Sequence, residues 1–170
     1  MHKKTEVVII LENIRSAHNV GAIFRSGECF GVSKIYLCGY CPAPIDRFGR
    51  DRKDISKTAL GAEQIVKWEV IADIHDLLQK LKKDGYNIAA IERIDGGIGC
   101  EQLANLEFEK VALIFGNEVD GITDKVLTSA DQVYQIKQFG QKESLNVTTA
   151  CGISLFALRS FVVAPRDDVS

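Results

Sequence analysis

One stretch decides the predicted fold, residues 110–121, with the sequence KVALIFGNEVDG. Its first half is an unbroken apolar run, typical of a strand that is buried on both faces. Its second half is polar and bounded by Gly116 and Gly121, which indicates a turn directly after that strand. Strands buried on both faces belong to parallel sheets that are covered by helices, and ligands bind beyond their carboxyl ends. The polar half is therefore the first candidate for a functional site.

Segments of similar character extend from this stretch in both directions. Further strands are predicted at residues 5–11, 34–38, 65–70, 87–91 and 132–136, and helices at residues 19–30, 73–83, 123–130 and 145–163. This alternation predicts an α/β fold, with a mostly parallel sheet flanked by helices. Residues 39 to about 54 hold two of the three prolines and are predicted to form a loop. Because neither a repeat nor a linker occurs, we expect residues 1–170 to form one domain.

The last predicted helix is apolar over more than one face. One stripe of residues at helical spacing consists of Val147, Cys151, Leu155, Leu158 and Val162. Ile153, Phe156 and Phe161 extend the apolar surface beyond this stripe. Such a helix is buried on more than one side, either within the core or between the core and a second subunit.

Composition excludes several classes of protein. The chain has 170 residues with 21 basic and 23 acidic side chains, a net charge of −2, and 46% hydrophobic residues. These values are ordinary for a globular protein and exclude disorder, fibrous repeats and a strongly basic coat protein. The longest aliphatic run, residues 7–11, is too short to cross a membrane, and we expect neither a signal peptide nor a membrane partner.

Five cysteines, without a signal peptide, predict a reduced protein in the cytoplasm. Cys38 and Cys41 have the C-x-x-C spacing of a thiol redox site, but the prolines that follow indicate a loop rather than a helix. A redox pair and a pair of packed cysteines are the two alternatives. The three histidines are isolated, so no metal site is predicted.

Polar residues also follow the first and the sixth predicted strands. The first segment is Asn19-Val-Gly-Ala-Ile-Phe-Arg25, and the second, residues 140–146, opens the last helix. Taken singly, Asn19, Ser144 or Asn146 could each be an ordinary helix cap. The three polar segments together resemble the three motifs of the SPOUT class of RNA methyltransferases, and more narrowly the SpoU/TrmH family. The matching residues are Asn19-x-Gly21-x-x-x-Arg25, residues 113–121 and residues 144–152, and the resemblance covers residues 7–158.

The resemblance implies a fold of SPOUT type with a deep trefoil knot near the C-terminus. It also implies the cofactor S-adenosylmethionine and a homodimer that uses the first and last helices. By resemblance, the catalytic residues are Arg25, Asn19, Ser144, Asn146 and Glu118. Asn19, Ser144 and Asn146 are expected to orient Arg25 and the ribose. The cofactor is expected to lie against Ile91, Glu92, Gly116, Gly121, Ile136 and Leu145.

One segment departs from the family pattern. Members usually carry Ile-Pro-Met where this chain has Ile136-Lys137-Gln138, so a rigid turn is lost beside the cofactor and a charge is added.

The implied function is transfer of a methyl group to a ribose 2′-hydroxyl of structured RNA, with tRNA favoured over rRNA. The alternatives are an RNA-binding protein of the same fold that no longer methylates and, more distantly, the thiol redox protein. No separate RNA-binding domain is expected, so the domain surface, a dimer partner or a helper protein must recognise the RNA. The predicted RNA contacts are Arg47, Arg50, Arg52, Lys53 and Lys142. Four of them lie in residues 46–57, where five basic and three acidic residues give a local charge of +2.

Overall fold

The computed structural model describes residues 5–160. Its strands are β1 (Glu6–Glu12), β2 (Lys34–Cys38), β3 (Lys67–Ile71), β4 (Asn87–Ile91), β5 (Ile98–Gly99), β6 (Lys110–Phe115) and β7 (Gln132–Gln135). Its α-helices are α1 (Ala17–Cys29), α2 (Lys53–Ala59), α3 (Ala62–Ile65), α4 (Ile74–Lys83), α5 (Asp124–Ser129) and α6 (Val147–Arg159). A 3₁₀ helix spans Cys100–Asn105.

The seven strands form one sheet in the order β3-β2-β1-β6-β4-β7-β5, and every pairing is parallel. Alternate side chains of β1 enter two separate cores, with Ile9 on one face and Ile10 on the other. Helices α1, α2 and α6 cover the first face, whereas α4 and α5 cover the second. The predicted α/β fold with a mostly parallel sheet is thus confirmed. The trefoil knot stays a prediction.

The three longest helices begin at capping residues. The Ser16 hydroxyl accepts the Asn19 N–H at α1, Asp73 accepts two N–H groups at α4, and Asn146 accepts the Thr148 N–H at α6. Each cap satisfies donors that the first turn of a helix leaves without a partner. The caps therefore fix where α1 and α6 start, and both helices begin beside the polar loops that follow the strands.

Several element boundaries differ from the prediction. Helix α2 was not predicted, so Lys53 and Lys57 lie on a helix and not in a loop. The predicted strand at residues 65–70 was wrong at its start, because Ala62–Ile65 forms a helical turn and β3 begins at Lys67. The signal for α2 was present in Ile55 and Ala59, which are four residues apart and both buried.

The last helix confirms part of the predicted stripe. Val147, Cys151 and Leu155 are buried, and Leu158 packs against the core. Ile153 and Phe156 are exposed, Phe156 to 64%. Val162 and Phe161, which the prediction included, lie outside the described residues. Within residues 5–160, no helix is long and apolar enough to cross a membrane.

Candidate active site

The loop after β6 is organised by one buried side chain, Asn117. Its Oδ1 accepts the N–H groups of Val119 and Asp120 at 2.8 and 2.9 Å. Its Nδ2 donates to the carbonyl of Asn13 and to the Tyr40 hydroxyl, both at 2.8 Å. The first two contacts fix the shape of the loop, and the other two hold it against the segments that follow β1 and β2. Sequence analysis missed Asn117 as a site residue, although its position between Gly116 and Glu118 in the quoted stretch was a usable signal.

Two further carboxylates hold the end of this loop. Glu92, which follows β4, accepts the Ile122 N–H at 2.9 Å. Glu12, the buried last residue of β1, accepts the N–H and hydroxyl of Thr123 at 3.0 and 2.7 Å. Hydrogen bonds to charged acceptors are stronger than neutral ones. The loop after β6 is therefore fixed from β1 and β4, the two strands that flank β6 in the sheet. Glu12 was missed as well, because only the fold brings it to Thr123.

Glu118 joins the same loop to the start of α1. Its carboxylate accepts the N–H groups of Arg15 and Ser16 at 3.0 and 3.2 Å and the Nδ2 of Asn19 at 2.9 Å. Partial burial raises the pKa of Glu118, but these donated hydrogen bonds outweigh burial and hold the pKa below its ordinary value. Glu118 is therefore an anionic anchor at a helix N-terminus, where the helix dipole also favours negative charge.

A cavity of about 340 Å³, here called the first cavity, opens beyond the carboxyl ends of β4, β6 and β7. All six predicted cofactor contacts line it, namely Ile91, Glu92, Gly116, Gly121, Ile136 and Leu145. Glu118 and Ser144 line it too. Its volume lies within the range of small-molecule sites. The glycines are needed there, because a Cβ on Gly116 would stand 2.4 Å from the backbone of Gly121 and Ile122.

The lining of the first cavity fits S-adenosylmethionine in shape and charge. Ile91, Ile136, Leu145 and Val147 supply apolar surface suited to an adenine ring. The lining includes four acidic residues, Glu92, Glu118, Asp120 and Glu143, and one basic residue, Arg93. This excess of negative charge complements a ligand that carries a sulfonium and an ammonium against one carboxylate. Residues 5–160 contain no cluster of three His, Cys, Asp or Glu side chains that could hold a metal ion.

The segment that departs from the family pattern keeps its added charge away from the first cavity. Gln138 lines the cavity, whereas Lys137 does not. The Lys137 ammonium lies 5.3 Å from the centre of the exposed Phe139 ring instead.

Arg25 lies in a second, more open cavity, here called the Arg25 cavity, on the other side of the first turn of α6. Val147 and Ala150 of that turn face the first cavity, whereas Thr148 and Thr149 face the Arg25 cavity. Lys57 and Thr58 of α2 complete its polar lining. Arg25 makes neither a hydrogen bond nor an ion pair with any residue that the structure describes.

Two predicted residues make no contact with Arg25 within one chain. The Asn19 amide bonds to Glu118, and six residues along a helix turn a side chain onto a different face. The Asn146 Oδ1 accepts the N–H and hydroxyl of Thr148 as the cap of α6. Ser144 is exposed at the rim of the first cavity. The catalytic roles of all five residues stay predictions.

The predicted RNA contacts differ in how free their charges are. Arg50 is paired with Asp46 at 2.8 Å, and Arg52 donates two hydrogen bonds to Asp54. Arg47, Lys53 and Lys142 are exposed and make no ion pair within residues 5–160. These three have their full charge available for phosphates.

Cys38 and Cys41 both pack against the hydrophobic cores. Cys38 is buried at the end of β2, and burial, followed by nearby Cys41 and Glu12, raises the pKa of its thiol to about 12. Burial raises the pKa of Cys41 to about 11, although its sulfur accepts the Ile14 N–H. A redox nucleophile needs a lowered pKa, so the structure disfavours the thiol redox alternative.

Comparison with known proteins identifies the family of the chain. The model of the SpoU rRNA Methylase family matches residues 6–156. An uncharacterized tRNA/rRNA methyltransferase of Borreliella burgdorferi is 27% identical over 159 residues, which cover 92% of this chain and 65% of that protein. A 23S rRNA (guanosine-2′-O-)-methyltransferase of Neisseria meningitidis is 29% identical and covers 96% of this chain and 62% of its own length. A tRNA (guanosine(18)-2′-O)-methyltransferase of Borreliella burgdorferi is 28% identical, covering 89% and 65%. The chain thus spans just under two thirds of the length of these relatives.

Solved structures share the fold. An AdoMet-bound rRNA methyltransferase from Sinorhizobium meliloti superimposes with a TM-score of 0.81 at 24% identity, covering 94% of this chain and 58% of that one. The TrmH/SpoU tRNA modifying enzyme of A. aeolicus superimposes with a TM-score of 0.77 at 22% identity, covering 92% of this chain and 75% of that one.

Proposed function

Since the chain belongs to the SpoU rRNA Methylase family, we propose that it transfers a methyl group from S-adenosylmethionine to a ribose 2′-hydroxyl of structured RNA. The relatives include enzymes named for tRNA and for rRNA. Of the two, tRNA is the substrate to test first. The cytoplasmic location and the helper protein stay predictions.

One observation carries the proposal. The first cavity has a size, an apolar floor and an acidic rim that suit S-adenosylmethionine, and it lies one helical turn away from the basic Arg25 cavity. The cofactor supplies an electrophilic methyl carbon on a sulfonium. The chain has to hold a ribose between the two cavities, near Ser144 and the first turn of α6, so that the hydroxyl lies in line with that carbon.

Arg25 is suited to bind charge and unsuited to remove a proton. A guanidinium stays protonated in proteins, so it makes a poor base. It can form paired hydrogen bonds with a phosphate and stabilise negative charge that develops on the 2′-oxygen. Lys57 in the same cavity adds a second positive charge for the RNA backbone. We assign Arg25 to this electrostatic role.

A second copy of the chain fits the exposed side of α6. Ile153 and Phe156 are 39% and 64% exposed on this helix, where monomeric proteins seldom place large apolar side chains together. Helix α1 packs directly beside α6, with Phe24 and Leu155 in one core. We propose that two copies pair through α1 and α6, which buries this surface.

The test is methyl transfer by Arg25→Ala. The variant should lose at least about a hundredfold in rate on a tRNA or rRNA substrate, because electrostatic stabilisation of a developing charge typically supplies that much. Cofactor affinity, measured by calorimetry, should stay unchanged, since Arg25 does not line the first cavity.

Lys83→Ala is the control, because Lys83 is an exposed cation at the end of α4 on the other face of the sheet. It should leave both measurements unchanged. Wild-type protein that binds no S-adenosylmethionine at millimolar concentration would support the RNA-binding alternative. An active Arg25→Ala would remove the assigned role.

A further inference from the structure

A small hairpin turn, residues 45–51, stands between β2 and α2 and is held rigid by Asp46. Ile45 and Asp51 form an antiparallel bridge, which closes the base of the turn. The Asp46 carboxylate accepts the N–H groups of Phe48 and Arg50 at 2.8 and 3.0 Å and also the Arg50 Nε at 2.8 Å. The hydrogen bond from the Arg50 main-chain N–H, followed by those from the Arg50 side chain and the Phe48 N–H, lowers the pKa of Asp46. The Asp46 carboxylate is therefore ionised at neutral pH.

Phe48 lies at the tip of this turn and does not pack into a hydrophobic core. Its side chain is 66% exposed, and it belongs to neither of the two cores. The guanidinium carbons of Arg47 and Arg50 lie 4.7 and 5.1 Å from the centre of its ring. A rigid turn therefore holds a large aromatic surface in water, and two cations stand beside it.

The turn is rigidly connected to Arg25. Helix α2 begins two residues after the turn and packs tightly on α1, where Gly21 leaves no room for a side chain against the Ile55 carbonyl and the Thr58 hydroxyl. Thr58 also donates a hydrogen bond to the His18 carbonyl of α1 at 2.9 Å. Its neighbour Lys57 lines the Arg25 cavity. The turn, α2 and the helix that carries Arg25 thus form one continuous unit.

From these contacts we propose that Phe48 is a stacking platform for an unpaired nucleobase of the RNA substrate, with the unpaired Arg47 placed to contact an adjoining phosphate and Arg50 holding Asp46 in the turn. The inference rests on the proposed function and narrows its substrate class to RNA with an accessible, unstacked nucleotide near the target ribose. Bases stack on aromatic side chains in single-stranded RNA, and Arg adds cation–π and phosphate contacts. A paired duplex hides its base faces, so it cannot use Phe48.

The experiment measures equilibrium binding, without cofactor, of two RNAs of equal length and charge. One is a hairpin with a single-stranded adenosine loop, and the other is a blunt duplex. Wild-type protein should prefer the looped hairpin. Phe48→Ala should weaken binding of the hairpin by about 5- to 100-fold, the usual range for one stacked base, and leave binding of the duplex unchanged. Phe48→Trp should retain the preference.

Salt dependence separates stacking from charge. Phe48→Ala should keep the wild-type slope of log affinity against log salt, whereas Arg47→Ala should reduce the slope by about one phosphate contact. Phe108→Ala is the matched control, since Phe108 is 45% exposed and precedes the amino end of β6, whereas Phe48 follows the carboxyl end of β2. It should bind both RNAs as the wild type does.

Equal affinity of the wild type for the two RNAs, or an unchanged hairpin affinity in Phe48→Ala, overturns the proposal. The binding experiment contains no cofactor, so it tests the stacking platform independently of methyl transfer. If Phe48 contributes to hairpin binding but the protein transfers no methyl group, only the proposed activity is refuted. If the protein transfers methyl groups and Phe48→Ala binds the hairpin as the wild type does, only the stacking platform is refuted.

Discussion

The first cavity and the Arg25 cavity lie on two sides of one helical turn, and they differ in how their polar groups are held. Around the first cavity, Glu92, Asn117 and Glu118 are all bonded to the backbone of neighbouring loops. In the Arg25 cavity, the guanidinium has no partner among residues 5–160. The three side chains at the first cavity are therefore fixed within one chain, whereas the Arg25 guanidinium is free to bind an external anion.

This difference fits the two ligands that we propose. A small cofactor is bound best by a preorganised cavity, because little ordering remains to be done on binding. An RNA backbone brings its own negative charge, so an unpaired arginine loses no internal ion pair when it binds. The predictions below test whether the two cavities are separable in this way.

The largest effect is expected from Gly116→Ala, which changes the first cavity alone. Its Cβ would lie 2.4 Å from the backbone of Gly121 and Ile122, so the loop must move. Overpacking of this kind costs about 1–3 kcal/mol of folding free energy. If restoring the loop against the cofactor takes the same energy, calorimetry should show a loss of roughly 5- to 150-fold in cofactor affinity. Gly140→Ala, in the nearby loop with nothing within 4 Å of its Cβ position, should bind the cofactor normally. Equal losses in both variants would show that the loop tolerates no change anywhere.

A smaller effect is expected when a charge is placed on α6. Phe156→Asp should raise the dissociation constant of the dimer at least about tenfold, since burying such a side chain is worth about 1.5–3 kcal/mol. Sedimentation analysis measures this, and cofactor affinity should stay unchanged because Phe156 does not line the first cavity. Phe108→Asp changes an exposed phenylalanine that lies on neither α1 nor α6, and it should leave association as it is. A monomeric wild type would refute the pairing through α6.

Glu118→Gln should cost about 1–2 kcal/mol of the free energy of unfolding at neutral pH, because bonds to a charged acceptor are lost. The pKa of Glu118 is lower in the folded chain than its ordinary value of 4.5. The carboxylate therefore stabilises the fold above that pH, and the benefit is lost as the pH falls through the folded-state pKa.

Urea denaturation at a series of pH values measures this difference. The gap between the wild type and Glu118→Gln should narrow below about pH 4.5, while the exposed Glu107→Gln should show no such narrowing. A gap that is independent of pH would mean that Glu118 acts through packing alone.

The smallest effect on activity is expected from replacing Cys38 and Cys41. Burial raises the pKa of Cys41 from 9.0 to about 11, so its thiolate fraction at pH 8 falls about a hundredfold. Cys38 is affected more strongly, whereas Cys29 is exposed. Iodoacetamide should therefore modify Cys29 first, as measured by mass spectrometry. The variant Cys38→Ser/Cys41→Ser should retain methyl transfer per folded molecule, and rapid alkylation of Cys38 would revive the redox alternative.

Strand positions were predictable because their signals are local, whereas the lining of the first cavity was predicted from the resemblance to the SpoU/TrmH family. Apolar runs such as residues 110–115 predict strands wherever they lie, and the polar residues that follow a parallel strand meet others at the same edge. Helix α2 was missed because seven residues carry only two buried positions, which a search for longer periodicity overlooks. The separation of Asn19 from Arg25 was predictable from the sequence, because six residues at 3.6 per turn rotate a side chain by about 240° around a helix.

The sequence by itself determined the α/β class and the parallel sheet, because each depends on the chemistry of short neighbouring segments, and its resemblance to a known family indicated the residues that line the first cavity. The tertiary structure alone decided which polar groups are bonded and which are free. Asn19 and Glu118 are 99 residues apart in the chain, and Thr123 and Glu12 are 111 apart. Contacts over such distances form only when the sheet aligns the strand ends, and the same alignment leaves Arg25 on the other side of α6.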